Sequence, residues 1–154
     1  MPKIDIAKAA LRTTSGYPGD LKATCVGREK AALGNIAGLT QFGVNLTRLK
    51  PGAASALRHW HENEDEFVYV LEGELTLIED EGEILLAAGE AAGFKAGVPN
   101  GHHLVNKTSR DAVYLEIGTR AGRERAHYPD HDLIAVKDGK GFAYTRRSGE
   151  PYTE

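Results

Sequence analysis

The sequence predicts an all-β fold, a sandwich or barrel of short antiparallel strands, and three observations carry that prediction. From Gln41 onward, short extended segments alternate with tight turns at intervals of about 8–12 residues. The 18 glycines of the 154-residue chain exceed the ordinary usage of ~7% and recur at the turn positions. No stretch between the extended segments is long enough for a crossover helix, which excludes a βαβ architecture.

The elements follow in chain order. Residues 4–12 suit a short helical turn or a strand. Residues 13–34 are broken by Gly16, Pro18, Gly19 and Gly27 and read as an irregular arm that packs on the barrel or on a partner subunit. Strands are expected over residues 41–50, 56–61, 66–71, 74–79, 83–87, 90–94, 102–106 and 112–118. Turns at Pro51-Gly52, Glu72-Gly73, Glu81-Gly82 and Ala88-Gly89 separate them. Past Gly118 the chain becomes richer in arginine, with one further strand at residues 142–146. The expected organisation is one domain over residues 1–154: a barrel core at about 41–118, an N-terminal arm at 1–40 and a C-terminal extension at 119–154.

Composition narrows the class of function. The 19 basic and 22 acidic residues give a net charge of −3, so no excess positive charge is available to attract a nucleic-acid backbone. No apolar run approaches the ~20 residues that span a bilayer, and the first residues lack a signal-peptide pattern. The single Cys25 forms no disulfide within the chain and suits a reducing compartment, so a cytoplasmic protein is expected, with Cys25 as a small buried filler. The two flanking segments have no evident core of their own. Covering a partner's sheet edge would bury them, so a homodimer is expected.

The chemistry-bearing residues concentrate in two places. In HWHENEDE, residues 59–66, side chains two apart on a strand share a face, so His59 and His61 project together with Trp60 opposite. Glu66 shares parity with Val68 and Val70, which turns its carboxylate toward the barrel interior. A buried carboxylate needs a cation, and a metal ion beside two histidines supplies one. Asp65 is the rival to Glu66, but alternation turns it outward; the acidic loop as a whole reads as solvated. In PNGHHLVN, residues 99–106, either His102 or His103 is available as a further ligand, and parity with Asn106 favours His102.

Together these segments resemble the two motifs of the cupin superfamily. Gly52 is followed by six residues, His59-Trp60-His61, four residues, Glu66, six residues and Gly73. Gly93 is followed by five residues, Pro99-Asn100-Gly101, and then His102, with three residues between it and Asn106. The spacer after Gly52 is one residue longer than the family pattern. His102 is two residues early counted from the glycine and in register counted from the asparagine. The stretches GLTQFGVNL, GHHLVN and LEIGTR are similar to a bacterial single-domain cupin group, some of whose relatives carry a sugar-phosphate-isomerase label.

The resemblance implies a double-stranded β-helix, or jelly-roll, barrel of two antiparallel sheets. It also implies one divalent transition metal ion per chain (Mn, Fe, Ni or Zn) held by His59, His61, Glu66 and His102. Such a site suits a small oxygenated metabolite bound as a ligand, with the metal acting as Lewis acid and template. The implied activity is an isomerase of the sugar-phosphate type. An Fe(II)-dependent dioxygenase or lyase and a non-catalytic ligand-binding or sensor cupin are the alternatives. No base for an isomerisation is evident in the sequence. His127, Asp130, His131 and Asp132 are read as a solvated loop rather than a second metal site. Arg48 and Arg58 are possible anion contacts that alternation turns outward, and Tyr69, Phe94 and Tyr114 are expected in the core or an interface.

Overall fold

A computed structural model describes residues 2–153. Apart from 3₁₀ turns at Ile6–Lys8 and Gly19–Cys25 and a one-turn helix at Leu33–Ile36, their regular structure is mainly antiparallel strands. In order they are β1 (Arg28–Ala32), β2 (Phe42–Leu49), β3 (Trp60–His61), β4 (Glu66–Glu72), β5 (Glu74–Glu79), β6 (Gly82–Ala87), β7 (Ala91–Phe94), β8 (His103–Val105), β9 (Ala112–Thr119), β10 (Glu124–Tyr128), β11 (Leu133–Asp138) and β12 (Gly141–Thr145). A five-stranded sheet in the order β1-β2-β9-β4-β7 forms one layer. The facing layer consists of two ladders, β6-β5-β8 and β12-β11-β10-β3. The bridges Ala54↔Val105 and His59↔His102 join them, so the segment leading into β3 runs beside β8. The jelly-roll expectation therefore holds, with the second sheet interrupted where the chain passes His59.

Alternation decides what fills the barrel. Val68 and Val70 of β4, Leu75 and Leu77 of β5, Leu104 of β8, and Ala112 and Tyr114 of β9 point inward and pack with Leu49, Ala53 and Leu86 into one apolar core. Tyr114 lies in this core as expected, whereas Tyr69 is largely exposed on the outer face. The turn between β4 and β5 depends on Gly73. Its φ is +75°, and a Cβ there would sit 2.7 Å from the Asp111 carbonyl oxygen. Any side chain would force β9 away from the hairpin.

The structure corrects the reading of both chain ends. The region expected to be an irregular arm contains a 3₁₀ turn at Gly19–Cys25 and the edge strand β1, paired along its length with β2. Strand β1 escaped the hydrophobic pattern because its inward residues include Arg28 and Lys30. Arg28 donates to the carbonyls of Ser55 and Thr14, and Lys30 pairs with Glu116 at 3.1 Å. The C-terminal extension carries three strands rather than one, and β10 continues the sheet through β3.

The ends also do not lack a core. Tyr17 and Cys25 from the N-terminal side pack with Leu57, Ala126, Tyr128, Leu133 and Ala135. The rings of Tyr17 and Tyr128 meet edge to face at 5.6 Å, and the backbone N–H of Leu57 donates to the Tyr17 hydroxyl at 3.2 Å. Cys25 is a buried filler, 1% exposed. The two segments bury their apolar residues against each other within one chain, which removes the reason given above for expecting a partner to cover them.

Burial pushes the hydroxyls of Tyr17, Tyr114, Tyr128 and Tyr144 above their ordinary range. In the unfolded chain a tyrosine ionises near pH 10. The folded state then keeps protons that the unfolded state loses, so stability is complete below about pH 10 and declines as the pH rises above it. We expect the urea midpoint to fall between pH 8 and pH 11, with tyrosinate absorbance from these residues appearing only as the protein unfolds. Ionisation of all four well before unfolding would contradict the packing described.

Candidate metal centre

Strand geometry brings four side chains to one point between the two layers. Glu66 opens β4 on the interior parity of Val68 and Val70. Its Oε1 lies 2.7 Å from His102 Nε2, 3.6 Å from His61 Nε2 and 3.8 Å from His59 Nε2. Ligand atoms of His59, His61 and Glu66 all lie within 4.8 Å of one another, while His102 joins through its contact with Glu66. His102 turns inward and stacks on Phe94, ring centroids 3.6 Å apart. His103 turns the other way and hydrogen-bonds the Ala56 carbonyl at 2.8 Å. Parity with the buried Asn106 thus separates the two histidines correctly in space.

The surroundings fix the rings. His59 Nδ1 is 2.7 Å from the Leu57 carbonyl, which can only accept, so Nδ1 carries the proton and Nε2 keeps its lone pair toward Glu66. Burial pushes the His59 imidazole down to about 4, against the opposing charge of Glu66, so it is neutral at pH 7. For Glu66, burial acts to raise the carboxyl. The hydrogen bond from His102 and the electrostatic influence of the surrounding imidazoles outweigh it and hold the group well below the usual carboxylate range. An anionic oxygen ringed by imidazole nitrogens, one of them a neutral donor, is a nitrogen-and-oxygen set that fits a divalent transition ion.

Sequence reasoning passed over the residues that brace this set. Arg58 does turn outward, as expected, but it is closed into a clamp: it binds both carboxylate oxygens of Asp130 at 3.0 Å, contacts Asp80, and donates to the Gly101 carbonyl. The clamp sits against the residue preceding His102. A Cβ on Gly101 would fall 2.8 Å from Pro129 Cγ and 2.9 Å from Arg58 Nη1, so only glycine lets the loop pass.

The acidic loop expected to be solvated is instead tied down. Glu62 meets His127 at 2.5 Å, and Glu64 accepts from Lys137 at 2.8 Å and from the Ala121 N–H at 2.9 Å. Asp65 faces outward as its parity requires and accepts the Ala96 N–H. The buried Glu124 accepts from the backbone N–H groups of Glu62, Asn63 and Arg125. Its other oxygen lies 3.7 Å from His61 Nδ1, with Glu64 at 3.9 Å. Glu124 belonged to a segment with no predicted strand, so nothing in the local pattern marked it. In HYPDHD, His127 stacks on Trp60, Asp130 holds Arg58, and Asp132 accepts the Arg147 N–H; among the described residues these do not converge as a metal set.

A chamber of about 220 Å³ opens on the centre, lined by Trp60, Phe94 and Val98 with the polar Asn100, Lys95, Glu64 and Glu79, and with His61 and His102. Trp60 was expected on the face opposite the histidines. Strand β3 is only two residues long, and the indole reaches the chamber rim. Beyond Glu66 lies a second cavity of about 250 Å³ bounded by Asn45, Glu116 and Arg120.

This architecture can be set against known proteins. Residues 45–118 match the model of the cupin domain. Over 99% of its length the chain is 49% identical to a sugar phosphate isomerase from a cupin superfamily of Silicibacter pomeroyi DSS-3, covering 97% of that chain with a TM-score of 0.95. The chain belongs to the cupin superfamily. A second cupin-like structure, assigned provisionally as a sugar phosphate isomerase of Acidithiobacillus ferrooxidans, is 26% identical over 92% of this chain and 86% of that one, with a TM-score of 0.79. A polyketide cyclase of Streptomyces resistomycificus, 20% identical over 77% of this cupin and 79% of its own chain, has a TM-score of 0.64 and shares the fold alone. No protein of curated function matches.

Orientation of the two adjacent histidines gives a direct test. His102→Ala should weaken binding of added Zn²⁺ or Mn²⁺ at least tenfold by calorimetry, an order of magnitude typical of disturbing a metal site. His103→Ala should leave that affinity within twofold. Equal losses in both variants would show that the ring facing Glu66 is not the one that matters.

Proposed function

We propose that this cupin is a metal-dependent isomerase of small phosphorylated hydroxy-carbonyl compounds. The observation that carries the reading is the convergence of three imidazoles on the buried Glu66 carboxylate, two of which, His61 and His102, line a chamber with aromatic walls. His59, His61, Glu66 and His102 would hold one divalent ion. Bound there, the ion would supply Lewis-acid polarisation of a substrate carbonyl.

The remaining work falls to the chain's own residues. Trp60 and Phe94 narrow the chamber to a small substrate and exclude water from its walls. Asn100 accepts the Asp80 N–H through its side-chain oxygen, which leaves its amide N–H₂ to donate to a substrate hydroxyl. Lys95 lies at the chamber with no acidic partner among the described residues, and its positive charge suits a phosphate. The sugar-phosphate-isomerase designation of the Silicibacter pomeroyi protein, at 49% identity, supports the same substrate class.

The test begins with elemental analysis of the purified full chain, for which one ion per chain is expected. Incubation with triose, tetrose and pentose phosphates should interconvert an aldose and ketose pair, and chelation should abolish this. His59→Ala and His61→Ala should lose the metal yet keep the β-sheet circular dichroism, because a chain of this size is held by apolar burial rather than by an ion. Lys95→Ala should raise KM for the phosphorylated compound about tenfold and leave kcat little changed. Oxygen consumption with iron bound, and no aldose–ketose interconversion, would replace the isomerase by a dioxygenase.

We further propose that the chain acts as a homodimer within the cytoplasm. The outer face of the five-stranded sheet supports the first part: Phe67, Tyr69 and Leu71 are 42%, 39% and 42% exposed there, beside Leu115 and Ile117 on the neighbouring strand. An apolar sheet face of this kind is ordinarily covered. Sedimentation at micromolar concentration should give twice the chain mass, and Tyr69→Glu should give monomer. A wild-type monomer would leave that face without the proposed partner.

A further inference from the structure

We propose that Glu79 is the base that transfers the proton between substrate carbons, an inference that rests on the isomerase reading above. An aldose–ketose interconversion needs a group that removes a proton from one carbon and returns it to the next. Glu66 and the three histidines around it are occupied with one another, so the base must come from elsewhere in the chamber.

Placement selects Glu79. On β5, Leu75 and Leu77 point into the barrel core, and residues two apart share a face, so Glu79 continues the interior row at the strand's end. The β5–β8 ladder pairs Leu77 with Leu104 and Ile78 with His103. The next rung of that register sets Glu79 opposite His102, and residues so placed on antiparallel strands have Cβ atoms about 4.5–5.5 Å apart. Both side chains line the same chamber.

Glu79 is also uncommitted. The other carboxylate lining the chamber, Glu64, already accepts from Lys137 and the Ala121 N–H. Glu79 forms no ion pair or side-chain hydrogen bond with the described residues, although it is half-buried. A carboxylate turned toward a largely apolar interior without a partner is costly for the fold. A role in the chamber accounts for it, whereas Leu at this position would extend the core.

The step balances without an outside reagent. Glu79 takes the proton from the hydroxyl-bearing carbon. The C–H electron pair becomes the carbon–carbon π bond, and the carbonyl π pair moves to its oxygen. Protonated Glu79 then gives its proton to the former carbonyl carbon. The hydroxyl proton passes to that carbon's oxygen, which leaves the new carbonyl in place. Nothing is oxidised or reduced overall.

Two measurements on the metal-loaded full chain test the proposal. The first follows exchange of the hydroxymethyl protons of dihydroxyacetone phosphate in deuterium oxide by NMR. Glu79→Gln should slow exchange about 100-fold or more, with metal content and the dissociation constant of the probe unchanged, and Glu79→Asp should recover part of the rate. The second treats the protein with bromohydroxyacetone phosphate, whose C–Br bond a nearby carboxylate displaces to form an ester; peptide mapping should locate that ester on Glu79. Undiminished exchange in Glu79→Gln overturns the assignment and leaves the isomerase reading standing. Failure of the wild type to exchange at all overturns the isomerase reading instead. In that event the base assignment falls with it; where the wild type does exchange, an ester on Glu79 supports the assignment and an ester on another residue overturns it.

Discussion

The burial of one carboxylate governs the organisation of this molecule. Glu66 continues the row of Val68 and Val70 into the barrel, a place where an isolated anion would cost several kcal/mol or take up a proton. Its charge is accommodated because three histidines, two from the segment that ends in β3 and one from the segment before β8, aim at the same oxygen. That requirement reaches outward. The segment carrying His59 must run beside β8 so that His59 and His102 bridge, which interrupts the second sheet. The loop before His102 must pass under the Arg58 clamp, which demands glycine at position 101. The acidic loop between His61 and Glu66 must be short and fixed, and Glu124 fixes it through the backbone N–H groups of Glu62 and Asn63.

Legibility in the sequence followed the physical origin of each feature. The strands from β2 to β9 could be read because their interior residues are apolar and alternate, and because glycine marks the turns between them. Glu66 and the three histidines around it could be placed by the same period of two, and parity with Asn106 favoured His102 over His103. Strand β1 was hidden because Arg28 and Lys30 face inward and hydrogen-bond there, a reversal of the usual code. Strands β10 and β11 pair with each other as neighbours in sequence, but β10 was hidden because its inward row is Glu124, Ala126 and Tyr128, which opens on a carboxylate rather than an apolar residue. Glu79 was legible in principle. The row Leu75, Leu77, Glu79 carries the same signal as Val70, Val68, Glu66, with the carboxylate at the end of an apolar interior face, but no neighbouring histidine drew attention to it.

Under the proposed function, the two interior carboxylates would divide the chemistry by their surroundings. Glu66 is ringed by imidazoles and held as an anion, which the proposed coordination requires. Glu79 meets no such ring and faces the chamber from the opposite ladder. Similar residues acquire different duties because one has partners and the other has none.

Strand β3 gives the centre an unusual mechanical position. It consists of Trp60 and His61 alone, and its sheet partners are Ala126 and His127 of β10. The ring of His61 therefore hangs from a two-residue splice between the barrel and the strands built by the last third of the chain. A shift of β10 by a fraction of an ångström is carried to His61 without passing through any other candidate ligand. The tail thus acts as a tuning arm: substitutions around Glu124, Ala126 or Leu133 that leave all four inward-facing side chains intact can still change how well those side chains meet.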